Sequence, residues 1–106
     1  MNVKTAKNKI SLDGDLILEN AEKGKKLLLA ALEKIDGSNT VAIDLEKVNE
    51  IDSSGFQLLL AFIRTLKDRD TDCELKKVRK EIADLVILSG LKKFIKIKAE
   101  EATGYK

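Results

Sequence analysis

Apolar and polar positions along the chain follow two periods, two residues and about 3.6, which change places several times. Lys9-Ile10-Ser11-Leu12 alternates as a strand does, Asp13-Gly14-Asp15 interrupts it, and Leu16-Ile17-Leu18 resumes it. Asn20 suits the cap of a helix whose apolar positions Ala21, Gly24, Leu28, Ala31, Leu32 and Ile35 gather on one face, with Gly37 closing it. In Thr40-Val41-Ala42-Ile43-Asp44-Leu45 the branched residues flank Ala42, a composition that suits a strand covered on both sides. Glu46 to Ile51 then leads to the corner Asp52-Ser53-Ser54-Gly55.

The next segment reads as a helix with Phe56, Leu59, Leu60, Ile63 and Leu66 on one side and Gln57, Ala61, Arg64 and Asp68 opposite. Leu58 and Phe62, four residues apart, project away from the centre of that stripe. They form either a partner-facing patch or the edge of a wide core contact, the second reading being favoured. Arg69 to Asp72 is a polar link, Cys73 to Lys77 a short strand, and Glu81 to Leu88 a helix carrying Ile82, Leu85, Val86 and Ser89 and ending at Gly90. Phe94 to Lys98 alternates, with lysines that suit an edge strand.

Helices alternating with short strands require crossover connections, so the pattern predicts one α/β domain spanning residues 1–106. Its sheet is expected to be mixed and mostly parallel, with 4–5 strands and 3–4 helices, the first strands pairing antiparallel. Residues 1–7 and 100–106 are expected to be weakly ordered ends.

Composition narrows the function classes. Twenty basic against eighteen acidic side chains leave a net charge of +2, too balanced to imply nucleic acid or an anionic membrane. The lysine clusters at Lys23, Lys25, Lys26 and at Lys76, Lys77, Arg79, Lys80 lack the interleaved aromatic groups of single-strand binders and read as solvated faces. The chain has no histidine and one cysteine, Cys73, which removes the commonest general base, the Ser-His and Cys-His nucleophile pairs and any thiolate metal cluster. Cys73 reads as a small buried apolar residue. The longest apolar runs, Leu27 to Leu32 and Leu58 to Ile63, are too short to span a bilayer, and the first residues lack the apolar stretch of a signal peptide. A cytosolic protein with no cofactor, no metal and no catalytic residue is expected.

The corner is where chemistry is concentrated. Two hydroxyls and a glycine fall in the first turn of a helix, where unpaired backbone N–H groups and the macrodipole favour an anion such as a phosphoserine. Asp and Ser are also ordinary capping residues, so both readings stand on local grounds.

In their order and spacing, four pieces of the chain resemble the STAS family, the domain of anti-sigma-factor antagonists and of sulfate-transporter tails. They are Leu12-x-Gly14-x-Leu16, Val41-Ala42-Ile43-Asp44-Leu45, Ile51-Asp52-Ser53-Ser54-Gly55 and Leu88-Ser89-Gly90-Leu91, and the likeness runs from about Lys9 to Ile97. The resemblance implies a non-enzymatic regulatory module that binds a protein partner, an anti-sigma factor that is also a serine kinase. It implies phosphorylation at Ser53, with Ser54 as a second candidate hydroxyl, and release of the partner on modification. The partner-binding surface expected with it centres on Asp52, Ser53, Ser54, Gly55 and Gln57, with Leu58 and Phe62, from the helical spacing alone, as candidate apolar anchors. One departure stands out: antagonists often carry an acidic residue three positions after the strand-turn glycine, and this chain has Ile17. Ile17 and Gly55-Phe56-Gln57-Leu58-Leu59-Leu60 look more like STAS proteins that serve as constitutive adaptors in chemotaxis-type signalling or phospholipid-transport (ABC) assemblies. Weak nucleotide contact has been suggested for parts of the family.

Two other classes fit less well. A phospho-accepting receiver domain, with Asp13, Asp15 and Asp44 as its acidic pocket, needs five strand-helix units where three substantial helices are found. Asp13 and Asp15 are better explained as flanking the Gly14 turn, and Asp44 as ending a strand. A nucleotide-binding enzyme would require Gly-x-x-x-x-Gly-Lys-Ser/Thr or Gly-x-Gly-x-x-Gly, and neither occurs.

Overall fold

A computed structural model describes residues 1–35 and 40–90 and the backbone of 95–99. Five strands form one sheet in the order β1-β2-β3-β4-β5: β1 (Asn2–Ala6), β2 (Lys9–Asp13), β3 (Thr40–Lys47), β4 (Asp72–Val78) and β5 (Ile95–Ala99). β1 and β2 form an antiparallel hairpin, and β2 through β5 pair parallel. Among the described residues, three helices make the crossovers: α1 (Leu18–Lys34), α2 (Ser53–Asp68) and α3 (Lys80–Leu88). The expected α/β class and mixed, mostly parallel sheet are therefore observed.

Crossovers between sequential parallel neighbours take the right-handed form as a rule, which puts the three described helices on one face of the sheet. The burial pattern agrees. Ile10, Leu12, Val41, Ile43, Leu45, Cys73 and Leu75 are buried, while the alternate residues Ser11, Ala42, Glu74 and Lys76 are only half-buried. The expectation that β3 is covered on both sides is thus corrected. Its second face is polar, and Asp44 there is shielded by Lys9 at 3.3 Å rather than by a helix. Asp44 also does not end the strand, which continues to Lys47. Its Oδ1 accepts from the Glu46 amide at 2.9 Å.

The core stripe of α1 is the expected one, with Gly24, Leu28, Ala31 and Leu32 buried. Its start is not. Leu16-Ile17-Leu18 is not a strand: Leu16 makes a single parallel bridge with Ile51, Ile17 is the N-cap, and Leu18 opens the helix. Asn20 instead lies in the first turn, its Nδ2 donating to the Asp15 carbonyl at 2.9 Å. α1 ends at an extended Ile35, and the expected stop at Gly37 lies outside the described residues, as do Leu91 and 100–106. β1 occupies residues for which the sequence predicted no strand. Leu85, expected on the core side of α3, is 44% exposed, and Ala83 takes its place.

Candidate functional site

The Asp-Ser-Ser-Gly corner lies at the end of the sheet where β3 hands over to α2, close to the start of α1. Its assembly begins in the β2–α1 connection. Gly14, at φ 126, takes a conformation that side-chain-bearing residues avoid, and its amide donates to the Lys47 carbonyl at 3.2 Å. The chain then runs beside the β3–α2 loop. The Leu16 amide donates to the Glu50 carbonyl at 2.9 Å, and the Asp52 amide donates back to the Leu16 carbonyl at 3.0 Å. Asp15 Oδ1 accepts from the Glu50 amide at 3.2 Å, a contact between two loops 35 residues apart rather than the local turn role expected of that carboxylate.

Asp52 is the N-cap of α2, in extended backbone, and its two oxygens serve different elements. Oδ1 accepts from the Gly55 amide at 2.9 Å, satisfying an otherwise unpaired donor of the first turn. Oδ2 accepts from the Leu18 amide at 2.9 Å, at the first residue of α1. One carboxylate thus caps its own helix and the start of another 34 residues back along the chain. The hydrogen bonds from Gly55 and then Leu18 stabilise the ionised form and hold its pKa below the ordinary aspartate value.

Gly55 is required by the same contact. A Cβ built there would stand 1.7 Å from the Leu16 carbonyl oxygen and 2.3 Å from its carbon, so the helix can approach the β2–α1 connection only without a side chain. Ser53, the first residue of α2, is exposed, whereas Ser54 is half-buried. Gln57 is exposed one turn further on.

Leu58 and Phe62 separate. Phe62 is 5% exposed and belongs to the core, as the favoured wide-contact reading expected, and is no exposed anchor. Leu58 is half-buried against that core. Both line a groove of about 470 Å³ between α1 and α2, and Ser54 and Gln57 stand at the end nearest the corner. The structure therefore brings Asp52, Ser53, Ser54, Gly55 and Gln57 together at one helix start and buries Phe62 further along the same helix. Leu18, absent from the sequence-based set, is also here: its amide is bound by Asp52 and its side chain is 68% exposed. No local signal marks it, since the partner that places it lies 34 residues away. At the far side of the β3–α2 loop, Arg79 donates to the Asn49 carbonyl and, at 3.2 Å, to Asn49 Oδ1.

No helix among the described residues is long and apolar enough to cross a membrane. No curated protein matches the chain. The fold is similar to that of a Thermotoga maritima protein described as a candidate anti-sigma factor antagonist, at 19% identity over 96% of this chain and 88% of that one, with a TM-score of 0.71. It is also similar to the Bacillus cell fate determinant SpoIIAA in its phosphorylated form (21% identity, 95% and 93% covered, TM-score 0.67). A third similar structure is an anti-sigma factor antagonist from Mycobacterium paratuberculosis (18% identity, 94% and 85% covered, TM-score 0.65). The family model of the STAS domain matches residues 2–104, and with the strand-helix order and the corner in place, the chain belongs to the STAS domain family.

Proposed function

We propose that this protein is a non-catalytic, cytoplasmic protein-binding switch of the anti-sigma-factor-antagonist kind, controlled by phosphorylation of Ser53. The observation that carries the reading is the exposure of Ser53 at the first position of α2, beside a carboxylate whose hydrogen bonds keep it ionised. The partner is an anti-sigma factor that is also a serine kinase. It docks on Asp52, Ser53, Ser54, Gly55 and Gln57, with Leu58 at the edge of the contact. The regulated process is transcription.

The switch follows from charge. A phosphoserine adds about −1.5 to −2 at neutral pH. On the free domain this is tolerated, because the group stands in water at a helix N-terminus, where the dipole stabilises an anion by up to about 2 kcal/mol. In a complex the same group must be desolvated next to an ionised carboxylate whose own acceptor sites already hold the Gly55 and Leu18 amides. Like charges brought together in a closed interface cost several kcal/mol, and about 1.4 kcal/mol is tenfold in affinity. Modification therefore changes occupancy and leaves the fold intact.

A second reading rests on Ile17, which stands where antagonists often carry an acidic residue and here forms the half-buried N-cap of α1. On that reading the domain is a constitutive adaptor subunit of a signalling or phospholipid-transport assembly. Mass spectrometry of the protein from its own cells separates the two. Substantial phosphate on Ser53 supports the switch, and none under any growth condition supports the adaptor. Binding to the cognate kinase gives a direct test: Ser53→Ala should bind as the unmodified protein does and Ser53→Asp more weakly by roughly tenfold or more. Equal affinities refute the charge argument.

A further inference from the structure

The groove between α1 and α2 has a chemistry of its own. Its walls are Leu28, Leu29, Leu58, Ala61 and Phe62, and its volume, about 470 Å³, lies within the range of roughly 300–1,000 Å³ typical of small-ligand sites. Leu29 remains 49% exposed along it, an apolar surface that a soluble domain gains by covering. Both walls are helix sides, whose backbone N–H and C=O groups are consumed within the helices, so no backbone donor or acceptor is offered to a ligand along the length of the groove. A nucleotide or sugar would find few partners there. An unbranched hydrocarbon chain needs none.

The polar lining is spread along the groove: Ser54 and Gln57 toward one end, Glu22 and Lys25 on α1, and Thr65 toward the other end. α1 and α2 both follow strands of the parallel part of the sheet and so run in the same direction, bringing both N-termini to the end where Ser54 and Gln57 stand. Of the two charged residues lining the groove, Glu22 faces Lys26 at 3.9 Å. Lys25 has no ion-pair or hydrogen-bond partner among the described residues. An unpaired ammonium beside an apolar trough favours one negative head group.

We propose that the α1–α2 groove binds a single-chain amphiphile with an anionic head, of the fatty-acid type, with its hydrocarbon chain between Leu29 and Ala61 and its carboxylate at Lys25. This site is distinct from phosphorylation at Ser53, although Ser54, Gln57 and Leu58 border both.

The test is a ¹H–¹⁵N NMR titration of the full chain with decanoate below its micelle-forming concentration, repeated with the uncharged amphiphile octyl glucoside. Saturable shifts are expected at the amides of Ala21, Leu29, Ala61 and Thr65. Lys25→Glu should weaken decanoate roughly three- to tenfold and leave octyl glucoside unchanged, since one exposed charge is reversed. Ala61→Trp, at an exposed helix position, should fill the trough and abolish the response, with circular dichroism verifying the fold. The proposal is overturned by shifts that do not saturate, by binding at micellar concentration only, by a response elsewhere on the domain, or by equal decanoate affinity in Lys25→Glu.

Discussion

Replacing Gly55 by alanine probes the joint between α2 and the β2–α1 connection. The added Cβ would stand 1.7 Å from the Leu16 carbonyl oxygen, 2.3 Å from its carbon and 2.7 Å from its Cβ. Ordinary C···O approaches are about 3.3 Å or more, so the two backbones must separate by roughly 1.5 Å. Such a displacement stretches the Leu16–Glu50 and Asp52–Leu16 backbone hydrogen bonds, now 2.9 and 3.0 Å, beyond bonding distance. Each contributes about 0.5–1.5 kcal/mol net, and overpacking adds about 1–3 kcal/mol. Alanine recovers about 1 kcal/mol through its better helix propensity. The expected net loss is about 3 kcal/mol, a large part of the roughly 5–15 kcal/mol that holds a domain of this size folded. Urea unfolding followed by far-ultraviolet circular dichroism reads it as a fall in midpoint at unchanged slope, and heating as a drop in Tm of roughly 10–25 °C. A variant within about 0.5 kcal/mol of the parent would show that the Leu16 contact does not constrain the corner, and the account of the site's geometry would fail.

Asp52 should make stability depend on acid. Its pKa is lowered in the folded state, so its contribution is complete above the unfolded value near 3.8 and disappears as pH falls through the folded one; in Asp52→Asn that segment of the stability–pH curve should flatten, measured by urea titration from pH 5 to pH 2. Burial pushes the Cys73 thiol up to about 12, so an aromatic disulfide reagent at pH 8 should leave it unmodified in the folded protein and react at once in denaturant; rapid labelling of the native state would contradict its place under the helices. Leu28, 1% exposed in the core cluster, should cost about 2–5 kcal/mol on replacement by alanine, whereas Leu18→Ala, at an exposed position, should change stability by no more than about 0.5 kcal/mol, both by chemical denaturation.

How far the chain could be read before its structure was known differs by element, for physical reasons. α2 was legible because its start carries a side-chain cap at Asp52 and its buried residues Leu59, Leu60, Ile63 and Leu66 keep helical spacing. α1 was legible only in its middle. Its N-cap, Ile17, makes no side-chain cap bond, and its first amide is held by Asp52, so the signal for that start lies 34 residues away. β1 escaped because only Val3, Thr5 and Met1 turn partly inward, leaving too little apolar alternation at the edge of a sheet. The one-sided cover of β3 was hidden by Ala42, whose small side chain suits a helix-covered face and a polar one equally. Phe62 was ambiguous because its neighbour across the groove, α1, widens the buried stripe of α2 beyond what one helix's own spacing defines. At the site, the residue types at 52–55 indicated an anion-friendly helix start. The double use of the Asp52 oxygens, which keeps it ionised, depended on tertiary contact.

The reciprocal clasp of Leu16, with its amide on Glu50, its carbonyl on Asp52 and Gly55 pressed against it, fixes the number of residues that can lie between Gly14 and Leu18. Point substitutions on the surface leave that count alone; a single insertion there would move every later amide one place along and unhook both helix starts together. Descendants of this chain should thus keep the length of this stretch and the buried Leu16, and vary at its exposed end, Leu18.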